Sequence, residues 1–101
     1  MDAFTAVADP TRRALLHQLQ RDEECTVGEL VAAHAVSQPA ISRHLRVLRE
    51  AGLVSVRQDG RQRHYRAEVD GLLPLLGYLA TFWDQRFDAL TAVLDELEEE
   101  S

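Results

Sequence analysis

The chain has 101 residues, an apolar fraction of 46% and a formal net charge of −6, values that fit one small folded domain. A single cysteine excludes a disulfide framework within the chain, and no apolar run is long enough to cross a membrane. No signal peptide is recognisable, so we expect a cytoplasmic protein, and a core this small favours stabilisation by oligomerisation.

The first helix that the sequence pattern itself predicts is short and runs from Thr26 to His34. Thr26 and Glu29 have the spacing of a capping box, in which each side chain satisfies a backbone N–H of the other residue. The apolar stripe of this helix consists of Val27, Leu30 and Val31.

A second helix is predicted between Ser37 and Gly52. Ser37 is a favourable N-cap, Pro39 suits the first turn, and Gly52 can adopt the left-handed conformation that ends a helix. Only two residues separate this helix from the preceding one, which is typical of a helix-turn-helix. At 100° per residue, the buried face is expected to contain Ile41, Leu45 and Leu48.

The opposite face of the second helix offers groups that contact DNA. Arg43 and Arg46 can bind phosphates or the acceptor edge of guanine, Ser42 adds a hydroxyl, and Gln38 can pair with adenine. An ordinary amphipathic surface helix is the alternative. His44 lies at the edge of the buried face, where it either buttresses the helix or reaches a phosphate. The predicted DNA contacts of this helix are Ser37, Gln38, Pro39, Ala40, Ser42, Arg43, His44 and Arg46.

A β-hairpin is predicted directly after this helix. The runs Leu53 to Gln58 and Arg61 to Val69 are β-prone, and Asp59-Gly60 between them is a strong hairpin signal. A hairpin in this place is a wing, whose basic side chains can reach phosphates or the minor groove, although a solvated hairpin is the alternative. The DNA contacts predicted for the wing are Arg57, Arg61 and Arg63, and Arg66 is a further basic residue there.

Charge is distributed unevenly along the chain. Residues 37–67 carry seven arginines and two acids, whereas residues 68–101 carry one arginine and nine acids. Clustered positive charge on an acidic body binds phosphate locally, while repulsion elsewhere orients the approach to DNA. The charge pattern therefore favours a nucleic-acid partner for the central segment.

A C-terminal helix is predicted over residues 70–98, where apolar residues recur at steps of three and four. We expect this seam to pack both on its own domain and on a second copy of the chain; packing on its own domain alone is the alternative. Asp70 is the predicted N-cap, while Gly71 and Gly77 weaken the first turns. The seam consists of Leu73, Leu76, Ala80, Trp83, Phe87, Leu90, Leu94 and Leu97.

Together these motifs resemble the ArsR family of bacterial winged helix-turn-helix repressors, in particular members without a metal site. The resemblance rests on Asp9 to Arg13, Ser37 to Val54 and Asp59 to Tyr65. It implies a mainly α fold with a β-hairpin, in the order α-α-α-α-β-β-α, as one domain over residues 1–101. The parts would be a helix-turn-helix (26–52), a wing (53–69) and a C-terminal dimerisation helix (70–98).

The resemblance also implies a homodimer through the first and last helices, the first one running from Asp2 to Ala8. Such a dimer would present two recognition helices to an inverted repeat in double-stranded DNA, with half-sites about one turn apart. The interface would include Phe4, Val7, Leu73, Leu76, Leu79, Trp83, Phe87, Leu90 and Leu94.

The alternative function is a winged-helix module that binds another protein through its hydrophobic C-terminal helix. The arginine-rich face between Ser37 and Arg66 favours DNA, because a protein-docking module has no need for it. The sequence contains no nucleophile elbow, no glycine-rich phosphate loop and no acid–base pair that would indicate an enzyme.

Neither a metal nor a cofactor is expected. The thiolate site known in the family needs cysteines where this chain has Val31, Ala32 and Ala33, and the other family site needs histidines in the last helix, which has none. The remaining side chains of interest are Cys25 and a group of aromatic residues.

Cys25 has Glu23 and Glu24 as neighbours, and acids disfavour the thiolate, so we expect a plain loop cysteine; an intermolecular disulfide is the alternative. An unidentified small-molecule effector in the dimer interface is a further hypothesis, with core packing as the simpler explanation for its aromatic side chains. These are Tyr78, Phe82, Trp83 and Phe87.

Overall fold

The structure is a computed structural model that describes residues 2–83 and 93–98. The predicted order of elements and the mainly helical class are confirmed. In chain order the elements are α1 (Ala3–Ala6), α2 (Pro10–Asp22), α3 (Val27–Ala33), α4 (Gln38–Glu50), β1 (Val54–Asp59), β2 (Gln62–Ala67), a 3-10 turn (Val69–Leu72) and α5 (Leu73–Trp83). Residues 93–98 are again helical.

Side-chain caps fix the start of each of the first four helices. Two of the three N-caps predicted from the sequence are confirmed: Thr26 and Glu29 form both halves of the capping box, and Ser37 Oγ accepts from the Ala40 amide at 3.3 Å. Asp2 begins α1 in the same way, and Asp9 accepts from two amides of the first turn of α2. The helix starts are therefore encoded locally.

The hydrophobic core lies where α2, α3, α4 and the hairpin meet. The buried face predicted for α4 is confirmed, since Ile41, Leu45 and Leu48 are all at most 1% exposed. This face packs against leucines of the other elements and against an aromatic ring of β2. The fully or nearly buried partners are Leu15, Leu19, Leu30, Leu53 and Tyr65.

Cys25 lies in the connection between α2 and α3, as expected of a loop cysteine, but it is also a core residue. Its side chain is 1% exposed, and its backbone forms a β-bridge with Tyr65. Burial is the main reason why the pKa of the thiol is raised, and Asp22 and Glu29 raise it further. The acids that act on the thiol are thus not the sequence neighbours Glu23 and Glu24.

The wing is a two-stranded antiparallel hairpin whose loop lies one residue later than predicted. Asp59 still pairs with Gln62, so the two loop residues are Gly60 and Arg61. Gly60 has φ +62°, and a positive φ at the first loop residue is what a type II′ turn requires. The predicted second strand was also too long at both ends, because β2 spans Gln62–Ala67.

The start of the C-terminal region differs from the prediction. Asp70 does not cap a long helix; it lies inside the 3-10 turn, and α5 begins only at Leu73. Gly71 packs against the backbone of Gly52, where an added Cβ would collide with the Gly52 carbonyl oxygen and meet Leu53 Cδ2 at 2.9 Å. The 3-10 turn thus passes close to the residue that follows the end of α4, and α5 starts after it. The predicted interface residues Phe87 and Leu90 lie outside the described residues.

Candidate nucleic-acid interface

Helices α3 and α4 form the helix-turn-helix, and a polar contact to α2 fixes the segment between them. His34, the residue that ends α3, lies with Nε2 2.6 Å from Oε1 of Gln18, which is buried on α2 at 7% exposure. Because a buried amide needs a partner, this contact ties the α3–α4 connection to the core of the domain. The orientation of α4 therefore depends on α2 as well as on the turn itself.

The outer face of α4 is exposed and basic. Pro39, Ser42, Arg43 and Arg46 line one shallow depression along it. Within residues 2–83 and 93–98, neither guanidinium has an ion pair or a hydrogen bond, so both are available to an external anion. The predicted contacts Ser37 and Gln38 are exposed at the N-terminal end of the same helix.

The sequence reasoning missed Arg49 on this face. It is exposed and lines a second depression with Arg46 and Glu50, one turn towards the C-terminus. The signal was present in the sequence, because Arg43, Arg46 and Arg49 follow one another at steps of three, which places them on one side of a helix.

Two of the residues predicted to contact DNA, Ala40 and His44, are only partly exposed. His44 Nδ1 lies 3.4 Å from Nη1 of Arg12, whose other nitrogens donate to the carbonyl oxygens of Thr5 and Ala6. This position favours the buttressing role for His44, with Arg12 linking α4 to α1.

The tip of the wing lies next to the beginning of α3. Arg61 and Arg63 are exposed, and together with Thr26 and Gly28 they line a shallow cleft. Arg63 Nε donates to Gln58 Oε1 at 3.3 Å across the hairpin, which leaves its two terminal nitrogens free within the described part of the chain. The cleft therefore places two guanidiniums beside the first turn of α3.

Arg57 differs from the other arginines of the wing because it is already paired. Its Nη2 lies 3.0 Å from Glu24 Oε2 and its Nη1 3.7 Å from Asp59 Oδ2. The hydrogen bond with Arg57 lowers the pKa of Glu24, and it raises the pKa of Arg57 further above its ordinary value. His64 Nδ1 approaches the same carboxylate at 3.9 Å. Among the wing residues predicted to contact DNA, Arg57 therefore has a structural partner that the sequence did not reveal.

Helices α1 and α5, which are expected to form the dimer interface, carry a large exposed apolar surface. Phe4, Tyr78 and Phe82 stack edge to face, with ring centroids 5.3 and 5.1 Å apart. The predicted interface residue Val7 instead packs, partly buried, against its own core. The other predicted interface residues that the structure describes are all more than a third exposed, namely Phe4, Leu73, Leu76, Leu79, Trp83 and Leu94.

Two further observations concern the described residues only. In residues 2–83 and 93–98, no three His, Cys, Asp or Glu side chains lie close enough together to hold a metal ion. The helices in these ranges are also too short or too polar for any of them to cross a membrane.

Comparison with known proteins identifies relatives along almost the whole chain. The family described as "Bacterial regulatory protein, arsR family" matches residues 9–56, which include α2, the helix-turn-helix and the start of the wing. The chain is 39% identical over 93 residues to the HTH-type transcriptional regulator Rv2034 of Mycobacterium tuberculosis, covering 92% of this chain and 86% of that protein. It is 30% identical over 81 residues to the transcriptional repressor SdpR of Bacillus subtilis, covering 80% of this chain and 89% of the relative.

Solved structures agree with the sequence relatives. The crystal structure of a possible transcriptional regulator for arsenical resistance matches with a TM-score of 0.72 and 47% identity, covering 91% of this chain and 95% of that one. The chain therefore belongs to the ArsR family of bacterial winged helix-turn-helix proteins, and it is a DNA-binding regulator of transcription.

Proposed function

We propose that the chain is a homodimeric repressor that binds an inverted-repeat operator, with α4 of each copy in the major groove. The observation that carries this proposal is the exposed face of α4, on which Arg43 and Arg46 have no partner within the described residues. Exposed guanidiniums beside a hydroxyl are the groups that read guanine or bind phosphate. Relatives named as transcriptional repressors support the sign of regulation.

We assign the recognition of the DNA base sequence to the N-terminal half of α4. Gln38, Ser42 and Arg43 point away from the core on the first two turns, the part of a recognition helix that reaches base edges in other helix-turn-helix proteins. Arg46 and Arg49 are assigned to phosphates because they follow on the later turns. His44 is assigned to positioning of the helix, on the basis of its contact with Arg12.

The wing is assigned to the DNA backbone beside the major groove. Arg61 and Arg63 at the tip are exposed and lie beside the first helix of the helix-turn-helix. Phosphate contacts of this kind raise affinity for every sequence and make binding dependent on salt. Arg57 is assigned a smaller share, because Glu24 already neutralises it.

The dimer is supported by the exposed apolar side chains of α1 and α5. A group of exposed aromatic and leucine side chains of this size is unusual on a monomer and marks an interaction site. Sedimentation equilibrium of the purified chain at micromolar concentration tests the assignment. A mass twice that of the chain is expected, and a monomeric mass contradicts the dimer.

The experiment that tests DNA recognition is fluorescence anisotropy with DNA from the chain's own upstream region and a scrambled duplex of the same composition. Titrations at several salt concentrations separate specific binding from general attraction to phosphate. We expect tighter binding to the natural duplex, with a salt slope that reflects the number of phosphates contacted. Absence of binding to either duplex at low salt would favour the protein-docking alternative.

A further inference from the structure

A second concave site lies on the domain, separate from the proposed DNA contacts. It is a cavity of about 410 Å³ between α2, the ends of the two wing strands and the start of α5. This volume falls in the range of roughly 300–1,000 Å³ that small organic ligands occupy. The walls are apolar and consist of Val7, Leu16, Leu53, Ala67, Val69, Leu72 and Leu75.

Two basic side chains stand together at the rim of this cavity. Arg13 and His17 are four residues apart on α2, so they lie on one face of the helix. Arg13 Nη1 donates to the carbonyl oxygens of Val7 and Ala8 at 2.7 and 3.2 Å. Its Nε and Nη2 have no acceptor among the described residues, and His17 has no partner there either.

The acid at the rim is already engaged. Glu68 Oε1 accepts from the Ser55 hydroxyl at 2.6 Å, which holds this carboxylate at the edge of the wing. Gln20 and Glu68 Oε2 also lack a partner among the described residues, so the rim offers acceptors as well as the donors of Arg13 and His17. An apolar chamber with a pair of unsatisfied donors at its mouth is complementary to a molecule with a hydrocarbon body and an anionic head.

We propose that this cavity binds a small apolar carboxylic acid, with the carboxylate at Arg13 and His17 and the hydrocarbon body against the leucines. A carboxylate can accept from both rim side chains, whereas an ammonium head would face the Arg13 guanidinium, which carries the same charge and has no acceptor. The apolar body would gain free energy in proportion to the area that it removes from water.

The cavity also lies where a bound ligand can affect the wing and therefore its contacts with DNA. Leu53 precedes β1 and Ala67 ends β2, so the ligand would touch both ends of the wing. We infer that occupancy changes the position of the wing and lowers affinity for DNA. This second step rests on the proposed function, whereas ligand binding itself does not.

The test of binding uses three probes of equal chain length: octanoate, octan-1-ol and octylammonium. Each is titrated calorimetrically into the purified full chain. We expect one octanoate per chain, bound about tenfold or more tightly than octylammonium, because a charge-assisted hydrogen bond is worth at least about 1.4 kcal/mol. Equal binding of the acid and the amine, or no binding of octanoate, would overturn the proposal. The second result would mean that the cavity is filled by a second copy of the chain or is too open to hold a ligand.

Substitutions in α2 test whether the carboxylate of octanoate binds at Arg13 and His17. His17→Gln and Arg13→Gln should each weaken octanoate binding several-fold and leave octan-1-ol unaffected. Arg21→Gln is the matched control, since Arg21 is an exposed arginine of the same helix that does not line the cavity. Equal weakening by the control would show that only general charge attraction is involved and would overturn the assignment. His17 has no hydrogen bond or ion pair with another described residue, so its variant remains informative if Arg13→Gln fails to fold.

Anisotropy with the operator duplex, with and without saturating octanoate, tests the coupling. We expect a several-fold loss of affinity for wild type and a smaller loss for His17→Gln at the same octanoate concentration. An unchanged affinity with octanoate bound would overturn the coupling step. Because the titration without octanoate tests DNA recognition separately, failure of the proposed function and failure of the ligand site give different results.

Discussion

Arg57 of the wing and Glu24 of the segment before α3 form an ion pair at 3.0 Å, although they are 33 positions apart in the chain. The pair links the hairpin to the body of the domain. It sits beside the backbone bridge between Cys25 and Tyr65, so a polar and a main-chain contact hold the wing at the same place.

The Glu24–Arg57 pair should make stability depend on pH in the acidic range. The folded pKa of Glu24 is below its ordinary value of 4.5, so the pair stabilises the fold above that pH and the contribution is lost as the pH falls through the lowered value. In urea melts from neutral pH to pH 3, we expect Glu24→Gln to be less stable than wild type near neutral pH. The two proteins should converge below pH 4.5. A constant difference at every pH would contradict this role.

The same pair should make Arg57 less important for DNA than the arginines at the tip of the wing. Arg63→Gln is expected to reduce the salt slope of operator binding by about one and to weaken all duplexes alike. Arg57→Gln should change the slope by less, because Glu24 already neutralises the guanidinium. Anisotropy over a range of salt concentrations compares the two variants directly, and a larger effect of Arg57→Gln would show that DNA displaces Glu24.

Arg43 is expected to carry sequence discrimination. Arg43→Ala should cost about 1–3 kcal/mol of operator affinity and relax the preference for the operator over a scrambled duplex. Arg21→Ala is the matched control, because Arg21 lies on α2 and pairs with Asp22 at 3.6 Å. Competition titrations with both duplexes measure the preference, and an unchanged ratio for Arg43→Ala would remove it from base recognition.

Gly71 and Gly77 offer a test of two glycines in the same segment. A methyl group on Gly71 would collide with the Gly52 carbonyl oxygen, so Gly71→Ala should destabilise the fold by about 1–3 kcal/mol. Gly77 lies inside α5 with nothing within 4 Å of an added Cβ, so Gly77→Ala should stabilise by about 0.5–1 kcal/mol. Chemical denaturation gives both values. Similar effects of the two changes would mean that the close approach of Gly71 is absent in solution.

Cys25 should be protected from thiol reagents in the folded protein. Burial raises the pKa of its thiol, so at pH 8 both access and the thiolate fraction are low. The rate of modification by a disulfide reagent should rise about tenfold or more when guanidinium chloride unfolds the chain. Equal rates in the two states would indicate an accessible cysteine and reopen a redox role.

Local signals in the sequence predicted the elements whose determinants are close together in the chain. The capping box at Thr26, the cap at Ser37 and the buried face of α4 all depend on residues within one or two turns of a helix. The loop of the wing was misplaced by one residue because register is set by pairing along the whole hairpin, and Asp59 was free to pair with Gln62.

Contacts between distant segments could not be predicted. Neither the partner of Arg57 nor the burial of Cys25 has a local signature, since both depend on how the hairpin docks against the segment before α3. Gly71 was interpreted as a weak point in a helix, whereas its lack of a side chain is what lets α5 pass Gly52. For the DNA contacts, the spacing identified the basic face of α4, but the inward position of His44 required Arg12 from another helix.

The close approach of Gly71 to Gly52 has a consequence for how the molecule can move. Leu53 next to it donates its amide to the carbonyl of Leu48 and accepts from the amide of Glu68, so the last turn of α4, both wing strands and the start of α5 meet at one junction. We expect this junction to make α4, the wing and the start of α5 move together as one unit. In the proposed dimer, a small tilt of α5 would rotate α4 and the wing together, and the two copies of α4 would no longer match the spacing of the two operator halves.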